Sequence, residues 1–148
     1  MTAAPFVIFC DTREKQPPPF PTGVVLVRVT MAEGDYTTER LQGVAAIERS
    51  RAGELAGKMT YARERVDDEV RRLMNYWRRC LVVEGEIGEV SRSSAIHPNS
   101  VIGSIASWYA RSDMPVLFAG TAQGAGRLIA GVLKRWEERL AAEGSAGK

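Results

Sequence analysis

The sequence predicts an α/β domain in which one mixed sheet is flanked by helices. Two observations carry this. Short apolar runs of strand length recur along the chain, and after the first third the apolar residues switch to helical spacing. Strand-type and helix-type segments then alternate to the end, which is the pattern of a layered sheet-and-helix fold.

Each element has its own signal. Phe6–Cys10 (FVIFC) is short, continuous and β-rich, so it reads as a buried strand. It ends abruptly in Asp11-Thr12-Arg13-Glu14, and QPPPFPTG follows as a rigid, non-helical loop. Val24–Thr30 is a second strand. MAEGDYTTER holds a Glu33-Gly34-Asp35 turn and a short strand, and Gly43–Ser50 is a further strand that ends in charge. The short connectors predict a meander of antiparallel neighbours. From Thr60 to Trp77 a helix is predicted, because Ala62, Val66, Val70, Leu73 and Trp77 fall on one face. Arg79–Gly85 is a buried strand. Pro98–Arg111 is a helix capped by Asn99 or Ser100, with Val101, Ile105 and Trp108 on one face. Met114–Gly120 is the last strand, and Leu128, Ile129, Val132, Leu133, Trp136 and Leu140 line a closing helix. Residues from about 141 to 148 read as a loose tail, and the whole of 1–148 as one domain.

Composition narrows the function classes. At 148 residues, 45% hydrophobic and 26% charged, the chain has apolar material for one core without staples. A net charge of +2 permits nucleic acid without demanding it. Sixteen of the twenty basic residues are arginine, whose planar fork suits phosphate. Cys10 and Cys80 sit in apolar runs outside any CxxC pair, which argues against a disulfide framework or a zinc site. No signal-type N-terminus and no membrane-length apolar run is visible, so an intracellular, cytoplasmic protein is expected.

Acids at successive strand ends are the candidate chemistry: Asp11 and Glu14, then Asp35, then Glu48 followed by Arg49. Carboxylates that converge at one sheet edge suit Mg²⁺, which takes hard oxygen ligands and keeps waters for substrate phosphates. The plainer alternative is that each acid is solvated at a turn. Arg63, Arg65, Arg71, Arg72, Arg78 and Arg79 suit a phosphate-tracking face. Glu64, Asp67, Asp68 and Glu69 lie among them, which equally suits a salt-bridged solvent face. The lone His97 argues against histidine catalysis. Gly120–Arg127 (GTAQGAGR) fits neither the Walker pattern nor GxGxxG, so it reads as a glycine-rich helix start rather than a nucleotide loop.

CDTREK, EGDYTTE and VAAIERSRAGEL together resemble the ERCC4-type (XPF/MUS81) nuclease domain, a member of the restriction-endonuclease-like PD-(D/E)xK fold. That family carries a D-x-R-E strand end and then G-D-x(n)-E-R-K-x(3)-D. Asp11-Thr12-Arg13-Glu14, Gly34-Asp35 and Glu48-Arg49 match these, and Glu54 stands in the place of the last acid. The resemblance runs from about Val7 to Trp136. It implies a restriction-endonuclease-like mixed sheet, DNA as partner and Mg²⁺ or Mn²⁺ as cofactor. It further implies metal ligation by Asp11, Asp35 and Glu48 with Glu14 beside them. Arg13 and Arg49 would orient carboxylates or hold the scissile phosphate, or else serve as structural ion-pair partners. Arg51, Arg63 and Arg65 are the arginines expected to contact DNA.

Two departures from the pattern matter. Ser50 stands where the family has lysine, and serine supplies no charge. Lys58, expected on the following helix or turn, is the better replacement, since Arg51 begins on the other face of its strand. The loss also admits an inactive DNA-binding or scaffold subunit as the alternative reading. A single domain of this length is expected to lack the tandem helix-hairpin-helix module of larger relatives, and a separate DNA-targeting partner protein is the corresponding expectation. The resemblance also implies a homodimer, and Ile102 and Tyr109 fall off the Val101–Ile105–Trp108 stripe as spare interface residues.

Overall fold

The computed structural model describes residues 3–146. Its elements, in chain order, are β1 (Phe6–Asp11), β2 (Val24–Val29), β3 (Tyr36–Thr37), β4 (Ala45–Arg51), α1 (Ala52–Met59), α2 (Arg63–Leu73), β5 (Arg78–Glu84), α3 (Ile87–Arg92), α4 (Pro98–Ser112), β6 (Val116–Phe118) and α5 (Ala122–Ala146). The strands form one six-stranded sheet in the order β2-β1-β3-β4-β5-β6. This is the mixed α/β architecture that the sequence predicts.

The N-terminal meander is only partly antiparallel. β3 pairs antiparallel with both β1 and β4, but β1 and β2 run parallel, with Phe6 opposite Val24 and Asp11 opposite Val29. A parallel pair needs a crossover of about a dozen residues. The proline loop supplies that length as irregular chain, so no helix marks it in the sequence. β4, β5 and β6 are parallel neighbours linked through helices.

Alternation along the strands sorts side chains onto two faces. On one face Ala46, Leu81 and Val83 pack beneath Leu55 of α1, Val66, Val70 and Leu73 of α2, and Val101 and Trp108 of α4. On the other, Ile8, Cys10, Tyr36, Ile47, Cys80 and Val82 pack against Ala125, Ile129 and Leu133 of α5. Fully burying each such aliphatic side chain contributes about 1.5–3 kcal/mol. Cys10 and Cys80 are both free and buried. Burial pushes the Cys80 thiol up to about 12, which marks a core residue rather than a nucleophile.

Several local expectations are corrected. The helix predicted over Thr60–Trp77 is α2 and stops at Leu73; Trp77 leaves it and joins the α5 side of the core. His97, not Asn99 or Ser100, caps α4, its Nδ1 accepting the Asn99 N–H at 3.0 Å. The last helix starts at Ala122 and reaches Ala146, past Leu140; residues 147 and 148 of the expected tail lie outside the described residues. The glycine-rich stretch enters that helix at Ala122, so Gly124 and Gly126 are helical and Gly120 is not. A Cβ on Gly126 would fall 1.8 Å from the Pro19 carbonyl oxygen, so this glycine lets α5 approach the proline loop.

Candidate active site

Three adjoining strands bring their ends together here. The β1 peptide N–H of Asp11 donates to the Asp35 carbonyl at 2.9 Å, and the Asp35 N–H donates to the Ile47 carbonyl of β4 at 2.8 Å. Gly34 makes this approach feasible. Its φ is +81° and a Cβ there would lie 2.7 Å from the Ala46 Cβ, so the Gly-Asp pair is a packing requirement as well as a motif.

Asp35 and Glu48 are neighbours at this junction, and each carboxyl acts on the other's charge. Both are half-buried. Burial raises the Asp35 carboxyl above the usual range; the Arg49 peptide N–H, donated to its Oδ2 at 2.7 Å, opposes the rise, and the Glu14 charge adds to it. Burial raises Glu48 further, and the neighbouring Asp35 charge adds to that; Lys58 opposes the rise and Glu69 reinforces it. Lys58, on α1, lines one cavity with Glu48, and Glu69 of α2 lines it too.

Asp11 plays a different part. It is buried, its Oδ1 accepts the Met31 N–H at 3.0 Å and its Oδ2 accepts Arg13 Nε at 2.6 Å. Burial alone would raise its carboxyl, but the Met31 N–H and the Arg13 guanidinium outweigh that and hold it below the usual range. Arg13 remains 71% exposed, and the charges of Asp35 and Glu48 also reach it. The structure therefore sets Asp35 beside Glu48 with the Lys58 charge within reach of both, and Asp11 and Arg13 form a buttress beside them.

Arg49 and Glu14 sit on the opposite face of the sheet from Glu48. Arg49 Nε donates to Glu14 at 2.7 Å, Nη1 to Glu84 of β5 at 2.7 Å, and Nη2 to the Gln16 carbonyl at 2.8 Å. Tyr36 Oη donates to the same Glu14 carboxylate at 2.5 Å. Arg49, Glu14 and Glu84 are almost entirely enclosed, with side chains 7%, 14% and 12% exposed. Removing one partner of such a cluster strands the others, at a cost of about 3–5 kcal/mol. Arg49→Ala is therefore expected to lower the melting temperature by roughly 10 °C; thermal unfolding followed by circular dichroism checks it, and an unchanged midpoint would contradict the assignment.

The remaining candidates disperse. Ser50 is completely buried and its Oγ donates only to the Arg51 carbonyl at 3.1 Å. Arg51 bonds Gln16 Oε1 at 2.8 Å, and Glu54 accepts the Arg51 N–H as part of the α1 cap. Arg63 pairs with Asp67 at 3.1 Å, and Arg65 is exposed on α2. Glu69 carries no sequence signal: it is one charge among many on a helix whose register alone aims it at Glu48. Among the described residues, no group of three or more histidine, cysteine, aspartate or glutamate side chains is disposed to hold a metal.

Fold and site together define a mixed-sheet α/β domain that carries a carboxylate pair and a lysine where its strands end. Similar solved structures share the architecture. XPF from Aeropyrum pernix matches with a TM-score of 0.72 at 19% identity, over 86% of this chain and 60% of that one. XPF from the same organism in complex with DNA matches with a TM-score of 0.72 at 20% identity, over 90% of this chain and 65% of that one. The chain thus spans less than two thirds of the length of either. A search of curated proteins found no match. The ERCC4 domain model matches residues 10–132, and the chain belongs to that family.

Proposed function

We propose that the domain is a divalent-metal-dependent endonuclease that hydrolyses phosphodiester bonds in DNA. The Asp35–Glu48 pair carries the reading: two half-buried carboxyls neighbour each other where adjoining strands end, and Lys58 lines a cavity with Glu48. Membership of the ERCC4 domain family supports it, and a similar XPF chain in complex with DNA supports DNA as the substrate class. The donor chemistry fits Mg²⁺ or Mn²⁺. Mg²⁺ is usually held through one or two carboxylates and keeps several waters, and two hard oxygen donors whose charges repel in its absence are such a set. When bound, the ion supplies Lewis-acid charge and lowers the pKa of a water.

The chain's own residues do the rest. Asp35 and Glu48 hold the ion. Lys58 offers the cation that Ser50 lacks, to orient the attacking water or neutralise charge that develops on the phosphate. Asp11 fixes the strand junction under them, and the exposed Arg13 reaches a phosphate oxygen. Glu14 and Arg49 act from below, since Arg49 pins β4 to β1 and β5 while its peptide N–H orients Asp35. Calorimetric titration with Mn²⁺ tests the ion site. Wild type is expected to bind, Asp35→Asn is not, and equal heats for both would defeat the assignment.

A second reading is a DNA-binding or scaffold subunit that keeps the fold without cutting. The burial of Ser50 at the family's lysine position favours it. This reading requires DNA binding with no cleavage under any metal.

The domain is also proposed to pair with a second copy through α4, where Ile102 and Tyr109 are 54% and 61% exposed. Light scattering at micromolar concentration is expected to give twice the chain mass. Tyr109→Glu is expected to return it to the monomer mass, and a wild-type monomer would contradict the pairing.

A further inference from the structure

A second concave surface lies between α2 and α4. It shares Val70 and Trp108 as walls with the cavity that holds Glu48 and Lys58, so the two are neighbours. The cleft encloses about 300 Å³, and Arg63, Arg71 and Arg111 line it against a single carboxylate, Asp67. Asp67 is already engaged, by Arg63 Nε at 3.1 Å and by the Trp108 indole N–H at 2.9 Å. Arg63 is fixed in place: its Nη1 donates to Ser104 Oγ at 2.7 Å and its guanidinium lies 5.3 Å from the Trp108 ring centroid. Arg71 pairs with the exposed Asp68, and Arg111 at the rim pairs with no carboxylate among the described residues. The hydroxyls of Ser107 and Ser112 complete the lining.

Guanidinium forks converging on a concave surface with hydroxyl donors suit a phosphate, whose oxygens accept from several of them at once. A guanidinium already immobilised loses little freedom when it binds. We propose that this cleft binds a backbone phosphate of the DNA at a distance from the scissile one, guiding a strand past Trp108 towards the acid pair. The identity of the strand rests on the nuclease reading above; the phosphate chemistry of the cleft does not.

The test uses fluorescein-labelled flapped duplex DNA and the Asp35→Asn background, which holds the probe intact. Fluorescence anisotropy gives Kd across 50–200 mM salt. One phosphate contact accounts for a slope of about 0.9, which is a factor of about 3.5 in affinity over that range. Arg111→Ala, whose side chain makes no ion pair in the described fold, is expected to weaken binding at 50 mM salt. It should also flatten the slope by about one and leave the melting temperature unchanged. Arg139→Ala, on α5, is expected to leave slope and affinity as they were. Equal slopes for Arg111→Ala and its parent overturn the proposal. So does calorimetric binding of inorganic phosphate to the cleft with an unchanged DNA slope, which would assign the cleft to free phosphate. Cleavage by the wild-type protein is read separately. If it cuts while the slopes are equal, the cleft assignment alone falls. If it fails to cut while Arg111→Ala flattens the slope, the nuclease reading alone falls.

Discussion

Asp35→Asn is expected to reduce DNA cleavage by about a thousandfold or more while raising the stability of the metal-free protein. The loss in rate follows from removing one of the two neighbouring carboxylates. A metal's charge stabilisation is worth several kcal/mol, and about 4 kcal/mol corresponds to a factor of a thousand. The gain in stability follows from proton linkage. Burial raises both Asp35 and Glu48 above the usual carboxylate range, the Glu14 charge adding to the rise of Asp35 and the Asp35 charge to that of Glu48. The stability tied to their protonated form is full below that range and is lost as pH rises through the raised values. As pH rises through those values the wild-type pair gains charge in a buried setting, and asparagine relieves it. Thermal unfolding of both proteins in chelator from pH 5 to pH 8 checks this: the two midpoints should diverge as pH rises, and parallel curves would contradict the coupling.

Lys58→Ala is expected to lower the cleavage rate by about 10²–10⁴-fold, the usual range for a positioned acid–base or charge-stabilising group. Family resemblance alone makes Ser50→Lys a gain-of-rate change. Its burial reverses that expectation: Ser50 is fully enclosed, so a long cationic chain there overpacks the core, at about 1–3 kcal/mol before the charge is counted. Ser50→Lys should therefore lower the melting temperature and should not rescue Lys58→Ala. Rates and midpoints for the three variants decide it. A faster, equally stable Ser50→Lys would return the lysine role to position 50.

Long periodic elements were legible in the sequence. Pro98 and the Val101–Ile105–Trp108 stripe gave α4 to within one residue of its observed end. Short or glycine-broken ones were not. AGELAGKM forms α1 directly after β4, with two glycines that blur its period, and IGEVSR makes only a turn and a half as α3. The parallel pairing of β1 and β2 was hidden because its crossover is a proline loop. At the site, the Gly34-Asp35 and Glu48 positions were readable from motif spacing. Side-chain direction was not. Asp11 turns its oxygens to Met31 and Arg13, and Arg49 points through the sheet to Glu14 and Glu84, arrangements set by strand pairing between distant segments.

The most direct test of the acid pair as a nuclease centre is incubation of the purified protein, in excess, with end-labelled linear, flapped and forked DNA. Each is run with Mg²⁺, with Mn²⁺ and with EDTA, beside Asp35→Asn. Cleavage is expected with either ion, and neither EDTA nor Asp35→Asn should leave any product. Intact DNA in every lane, or equal cleavage by Asp35→Asn, would contradict the account.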